Sequence, residues 1–206
     1  MNKFLENISY KNYKLDNIEY RLFICDDCSK KDSEKDFIEK NSNKLPKDLL
    51  NLGYISFKYG KYDKIFITTP VMLCPFGVNI NKSGGQMSLQ FSNYKSDMMM
   101  NEFYNFINNL EIMQMKYIGL NEDETIKYVS QIRHDKNNKY DPNLLVKIPF
   151  KNNKFEVDIR SDNYNNVSIM SIGKFTKMKC DIYIDKIWLF NDRFYCKWKV
   201  RNIFVH

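Results

Sequence analysis

Residues 193–202 read RFYCKWKVRN, and the alternation in this stretch governs how the rest of the chain is read. In a β-strand successive side chains point to opposite faces. Phe194, Cys196, Trp198 and Val200 then form one apolar row, and Tyr195, Lys197, Lys199 and Arg201 form the row behind it. The first row is core. The second carries three cations, one tyrosine and no acid, which asks for an anionic partner more than for water.

Working back from this stretch, KIWLF, a polar NDR turn and FYCKWKV form a closing hairpin, reached through VSIMSIG and KFTKMKCDIYID. LLVKIPF and KFEVDIR, joined by a KNN turn, read as another hairpin. YISFKY and KIFITT, joined by a turn at Gly60 to Asp63, read as a third. VMLCPFGVN places Pro75 and Gly77 inside an apolar run, which suits an edge, a bulge or a sharp corner. NKSGG is a loop, and QMSLQFSNY is a strand with Met87, Leu89 and Phe91 on one face.

Two helices are expected between these groups of strands. SDMMMNEFYNFINNLEIM carries Met99, Phe103, Phe106, Ile107 and Leu110 as one stripe, while NEDETIKYVSQIR has Asn121 as a cap for Glu124 and buries Ile126, Val129 and Ile132. Residues 1–24 alternate in short pieces around Ile18, Tyr20 and Leu22. Residues 26–48 are dense in mixed charge and read as an exposed loop or a short surface helix. The expected fold is mainly β with a helix insertion (α+β), a small antiparallel barrel or sandwich. Residues 1–52 form an N-terminal extension with a polar linker, and 53–206 form the folded domain.

A length of 206 residues suits one domain. Hydrophobics at 43%, aromatics at 15% and only 7 Gly mark a globular chain rather than a disordered one. No segment has the roughly 18 unbroken apolar residues of a membrane span, and none reads as a signal peptide. With an odd count of 5 Cys, three of them in apolar surroundings, a reducing compartment, cytosolic or nuclear, is expected. The net charge of +7 is unevenly placed: +4 falls on residues 53–96 and +5 on 170–206, both β-rich, against −3 on the helical 97–136. A polyanion would meet the strands, not the helices.

Residue types for catalysis are scarce. The two histidines, His134 and His206, lie in a charged loop and at the last position, and no phosphate-cradling GxxxxGK[ST] occurs. CDDC at Cys25 to Cys28 has metal-like spacing but lacks a second ligand pair, and its aspartates disfavour a thiolate. No enzyme activity, cofactor or metal is expected. Aromatics interleaved with cations are more informative, because single strands need cations for phosphate and ring faces for unpaired bases. One cluster is Lys58, Tyr59, Lys61, Tyr62 and Lys64; the other is Lys186, Arg193, Tyr195, Lys197, Lys199 and Arg201. Tyr59, Tyr62 and Tyr195 are the stacking candidates, and Trp198 reads as core.

Ile67–Asn79 (ITTPVMLCPFGVN) and Asp185–Val205 (DKIWLFNDRFYCKWKVRNIFV) resemble the single-stranded DNA-binding proteins of nucleocytoplasmic large DNA viruses, a family distantly similar to the phage T7 single-stranded DNA-binding protein. The matching features are Thr69, Pro70, Pro75, Phe76 and Gly77, then Trp188, Phe194, Cys196, Trp198 and Lys199. The resemblance implies an OB-fold core and non-sequence-specific coating of single-stranded DNA in replication, recombination or repair, without catalysis. It places the protein in a viral factory of the host cytoplasm or in the nucleus, with replisome proteins and further copies of the chain as protein partners. Pro70, Pro75, Phe76 and Gly77 are read as shaping a barrel corner. The phage-type proteins carry an acidic C-terminal tail for partner recruitment; this sequence closes on RNIFVH, so tail-mediated recruitment is not expected of it. The alternatives are a viral scaffold or virion protein-interaction module, and an RNA-binding OB-fold protein.

Overall fold

The computed structural model describes residues 9–25, 34–37, 53–81, 84–161 and 168–206. After two single 3-10 turns, Tyr10–Asn12 and Leu15–Asn17, come strands β1 (Glu19–Cys25), β2 (Glu34–Phe37), β3 (Gly53–Lys58), β4 (Ile65–Thr68), β5 (Met72–Cys74), β6 (Val78–Asn81) and β7 (Gly84–Gln90). Helix α1 (Met98–Ile118) follows, then β8 (Tyr128–Val129), β9 (Ile132–Arg133), β10 (Asn143–Ile148), β11 (Phe150–Lys151), β12 (Lys154–Phe155) and β13 (Asp158–Ser161). The chain ends in β14 (Thr176–Ile184), β15 (Lys186–Phe190), β16 (Arg193–Tyr195) and β17 (Trp198–Val205).

Five of these strands close on themselves. β5 runs antiparallel to β7, β7 to β10, β17 to β14 and β14 to β5, while β10 and β17 are parallel. Counted along the chain, the barrel strands therefore stand in the cyclic order one, two, three, five, four, a Greek-key arrangement of the OB type. The inward rows fill the barrel: Met87 and Leu89, Leu144, Val146 and Ile148, Met178, Cys180 and Ile182, Trp198, Val200 and Ile203 are all buried. A register shift at Asp181/Ile182 bends β14 around the closure. Asp181 is buried there, and its carboxylate accepts from Thr68 Oγ1 and Asn202 Nδ2, each at 2.7 Å, which ties β4, β14 and β17 together.

A second, six-stranded sheet runs β2-β1-β3-β15-β16-β8. The RFYCKWKVRN stretch passes from one sheet to the other: β16 belongs to this sheet, β17 to the barrel, and Cys196 and Lys197 make the crossing. It is two strands where one was expected. The alternation survives, because Phe194, Cys196, Trp198 and Val200 are buried and Tyr195, Lys197, Lys199 and Arg201 are half-buried. The closing hairpin forms as expected, with Asn191 and Asp192 at φ 48° and 56° in its two-residue turn and Trp188 opposite Tyr195.

Several expectations give way. Tyr59 and Tyr62 exchange both backbone hydrogen bonds across the Gly60 turn, but the hairpin arms then part, β3 to the six-stranded sheet and β4 to the barrel. KNN joins only the two-residue strands β11 and β12, while β13 pairs with β17. VSIMSIG supplies a 3-10 turn, Ile169–Ser171. Helix α1 buries Met100 in place of Met99, which is 51% exposed, because the Asp97 cap on Met100 N–H sets the first turn one residue later. The second helix is one short 3-10 segment, Glu122–Lys127, with Ile126 80% exposed. Asn121 does cap Glu124, yet Tyr128 and Ile132 are drawn into short strands and take the buried positions.

The expected boundary at residue 52 does not separate the sheet pairing, since β1 is paired with β3 from Glu19–Lys58 to Ile24–Gly53. Tyr10, Tyr13, Ile18 and Leu22 belong to the core, and Tyr10 meets Phe103 of α1 edge-on at 5.1 Å. Residues 38–48 and Cys28 of CDDC lie outside the described residues. Cys74, Cys180 and Cys196 are free and buried.

Tyr13 shows why the N-terminal segment belongs to the fold. Among the described residues β4 pairs with β14 on one side only, and the Tyr13 hydroxyl serves its other edge, donating to Phe66 O at 3.1 Å and accepting from Phe66 N–H at 3.2 Å. Burial pushes its phenol up to about 12. Tyr13→Phe would keep the ring and strand both backbone groups, so a loss of about 1–3 kcal/mol in urea unfolding is expected.

Candidate nucleic-acid interface

The outward face of β7 and β10 carries Gln86, Ser88, Leu145 and Lys147, with Gln86 directly opposite Lys147. Three walls turn this face into a groove of about 340 Å³. The β6–β7 turn contributes Asn81 and Gly84, the β8–β9 segment contributes Val129, Gln131 and Arg133, and the β16–β17 crossing contributes Tyr195 and Lys197. Gly84 is required at its place: at φ 132° an added Cβ would stand 3.0 Å from Ile148 O. Lys147, Lys197 and Arg133 line this groove and no acid does. Among the described residues no carboxylate forms an ion pair with any of the three.

The hairpin β15–β16 stands at the mouth. Its Trp188 and Tyr195 rings stack with centroids 5.8 Å apart and planes inclined by 20°, and Lys197 Nζ lies 5.5 Å from each ring. A cation close to two rings is favourable, but Lys197 is also partly removed from water. Burial first, and the neighbouring Lys147 charge second, push its pKa down. The site therefore holds cationic charge at a cost in folding free energy and offers it to whatever enters.

Beneath the groove, α1 fixes the wall. Glu111 is buried and accepts from Ser130 Oγ at 2.6 Å and from the Gln131 N–H at 2.7 Å. Burial raises its pKa, opposed by these hydrogen bonds and by the Arg133 charge. Gln114, one turn on, accepts from the Tyr128 hydroxyl, so β8 and the Ser130–Gln131 link that follows it are both held from the helix.

The eleven residues expected from sequence fall in three places. Tyr195 and Lys197 line the groove, and Arg193 is exposed at the start of β16. Lys64, Lys199 and Arg201 lie on the outer face of β4–β14–β17: Lys64 and Lys199 stand over Tyr183 at 5.2 and 5.8 Å, and Arg201 over Phe66 at 6.0 Å. Lys199 is ion-paired with Asp185 at 2.6 Å. Lys58, Tyr59, Lys61, Tyr62 and Lys186 belong to the six-stranded sheet and its turn. There the Tyr59 ring packs on Tyr13 at 4.4 Å, Lys61 covers Tyr62 at 5.3 Å and Lys186 covers Tyr54 at 4.7 Å. The Lys58–Lys64 stretch thus does not face β17 across the sheet, because β14 stands between β4 and β17.

Lys147, Arg133 and Gln86 line the groove and were not singled out in the sequence, while Trp188 was named in the closing hairpin but not chosen as a stacking candidate. For two of them a signal was present: the NDR turn fixes Trp188 opposite Tyr195, and Lys147 is the outward residue between inward Val146 and Ile148. Arg133 and Gln86 need the tertiary structure.

No family model matches the chain, and no curated protein does. Among solved structures, the crystal structure of gp2.5, a single-stranded DNA-binding protein encoded by bacteriophage T7, is similar at 11% identity, covering 69% of this chain and 86% of that chain, with a TM-score of 0.41. No helix among the described residues is long and apolar enough to cross a membrane, and they hold no group of three or more metal-ligating side chains.

Two outcomes follow from the charges. Lys197→Met keeps the stem and removes the partly dehydrated charge, so the urea midpoint should rise at neutral pH. The gain should shrink as pH climbs through the depressed Lys197 value towards 10.5, where the native lysine is already neutral. For Glu111 the sign is that of a raised acid: its contribution is fully present below the ordinary carboxylate value and is lost as pH rises through the raised one. Glu111→Gln, which keeps an acceptor for Gln131, should remove that part of the pH dependence when unfolding is compared at pH 4 to 8.

Proposed function

We propose that this chain binds single-stranded DNA, without regard to sequence, in the groove between the β7–β10 face and the β15–β16 hairpin. The observation that carries the reading is Lys197, set beside the stacked Trp188 and Tyr195 rings at the mouth of a groove whose charged lining residues are all cations. A phosphate would neutralise a charge that the fold leaves partly dehydrated. An unpaired base would stack on a ring face, a contact worth about 1–3 kcal/mol and open to any base. Duplex DNA keeps its bases stacked and has no use for the rings. Gln86, exposed on the groove floor, presents an amide able to donate or accept, which suits varied base edges.

The reading extends to a protein of a large DNA virus, one that coats strands exposed by replication, recombination or repair in the host cytoplasm or nucleus. What supports it is where the two resembling stretches fall: Thr69 to Gly77 turns the chain from β4 through β5 into β6, and Trp188 to Lys199 supplies both the ring stack and the start of the closing strand. Replisome proteins and further copies of the chain are the protein partners such a role brings. A scaffold role has one observation of its own, the exposure of Met98 and Met99 at 76% and 51%.

Trp188 is half-exposed and Trp198 is buried, so quenching of intrinsic fluorescence will report on the hairpin. Titration with oligo-dT should quench in a length-dependent way, with duplex DNA and oligo-U as weaker competitors. With about three phosphates neutralised, log affinity should fall against log salt with a slope of about −2. Lys197→Ala should weaken binding about tenfold and Lys61→Ala much less. An affinity indifferent to salt and oligonucleotide length would refute the reading and favour the scaffold; equal or tighter binding of oligo-U would move it to RNA.

A further inference from the structure

Two phenylalanine rings stand in water on the far side of β7 from Lys147. Phe76 is 68% exposed and Phe175 is 69% exposed. Sequence reasoning gave Phe76 a share in shaping the barrel corner, but the packing assigns that work to its neighbours. Pro75 is buried, and Gly77, at φ 71°, lies so close to the 172–173 backbone that an added Cβ would stand 3.1 Å from Ile172 O. The ring between them is left outside.

Phe175 is held outward at a conformational cost. Its φ is 61°, and the other non-glycine residues with positive φ among the described residues are all Asn or Asp. A bulky side chain is strained in that region. The Phe175 N–H donates to Cys74 O at 2.8 Å, which pins the strained residue to the end of β5. Lys174 and Lys177, both exposed, flank it. Two rigid turns locked together by the Gly77 contact thus display two rings beside two cations. Strain and exposed apolar surface both oppose folding, and they persist here at one place.

The register connects this place with the groove. β6 pairs with β7 up to Val78–Met87, and β5 pairs with β7 at Leu73–Gln90, so the Pro75–Gly77 turn runs beside Ser88 and Leu89. Gln86 of the groove floor is two residues from Ser88 on the same outward row. A strand lying over Lys197, Lys147 and Gln86 that continued across β7 would come to these rings.

We propose that Phe76 and Phe175, with Lys174 and Lys177, form a second base-stacking platform for the same single strand where it leaves the groove. The proposal rests on the single-stranded DNA reading given above, and it lengthens the site beyond the groove. The cations beside the rings favour this ligand over an apolar protein surface.

The test compares the full chain with a Phe76→Ala/Phe175→Gly variant. Both side chains are exposed and Gly accepts the φ of residue 175, so thermal stability should be unchanged or higher. Binding of an oligo-dT of about 4 nucleotides, short enough for the groove, should stay within about twofold; binding of one of about 12 should weaken about tenfold or more. Trp188→Ala should weaken both. If the variant binds both lengths as the parent does while Trp188→Ala weakens them, the platform is wrong and the groove stands. If the parent binds neither oligonucleotide, both fall together. If the variant instead loses self-association in sedimentation with oligonucleotide binding intact, the rings serve a protein contact and the proposal is overturned.

Discussion

The barrel depends on one strand being paired along both edges. β17 runs parallel to β10 on one side and antiparallel to β14 on the other, and without it the remaining four barrel strands form an open sheet. Its inward residues, Trp198, Val200 and Ile203, are fully enclosed. Its start is equally constrained, because β16 directly upstream is committed to the other sheet. Two residues must make that passage. Cys196 turns inward and is buried, which leaves Lys197 no direction except outward, between the hairpin rings and the β10 edge. The charge at the mouth of the groove is thus a by-product of barrel closure, held by backbone on both sides rather than by a flexible loop.

The same economy governs the other wall. Ser130 and Gln131 interrupt β8 and β9, and a segment that short cannot satisfy its own backbone. Glu111 supplies the missing acceptor from α1. Placing a carboxylate beneath a groove lined by cations is electrostatically sensible only because it is buried and turned to the backbone, where it steadies the Arg133 side without presenting acid to the ligand.

How far the sequence foretold this depends on the range of the interaction that settled each element. Period-two alternation placed the inward rows of 87–91 and 194–200 correctly, since burial on one face is a local pattern. The closing hairpin was legible from Asn191–Asp192 between apolar runs. What failed depended on distant partners. The passage between sheets at Cys196–Lys197 keeps the alternation intact and so hides itself. The parting of β3 from β4 is decided by β1 and β14, and the Ser130–Gln131 segment after the shortened second helix is held by Glu111; the choice of Met100 over Met99 is by contrast local, set by the Asp97 cap that shifts the stripe by one residue. Lysine–aromatic spacing found half of the groove mouth, Tyr195 and Lys197, and it also found surface pairs such as Lys61 and Tyr62 that sit elsewhere. The N-terminal segment, read as an extension set off by a polar linker, is joined to the core by tyrosines whose partners lie 53 and more residues away.

The parallel seam between β10 and β17 is brief, only Val146 with Trp198 and Lys147 with Lys199 in register. A seam with so few hydrogen bonds is a natural first place for the barrel to breathe, as local opening favours edges with little pairing. The groove lies over that seam, with Lys147 on one bank and Lys197 on the other. Anything bound there spans the joint like a splint, so occupancy and resistance to opening are thermodynamically linked, and the filled protein will be the more slowly exchanging and the less readily cleaved form.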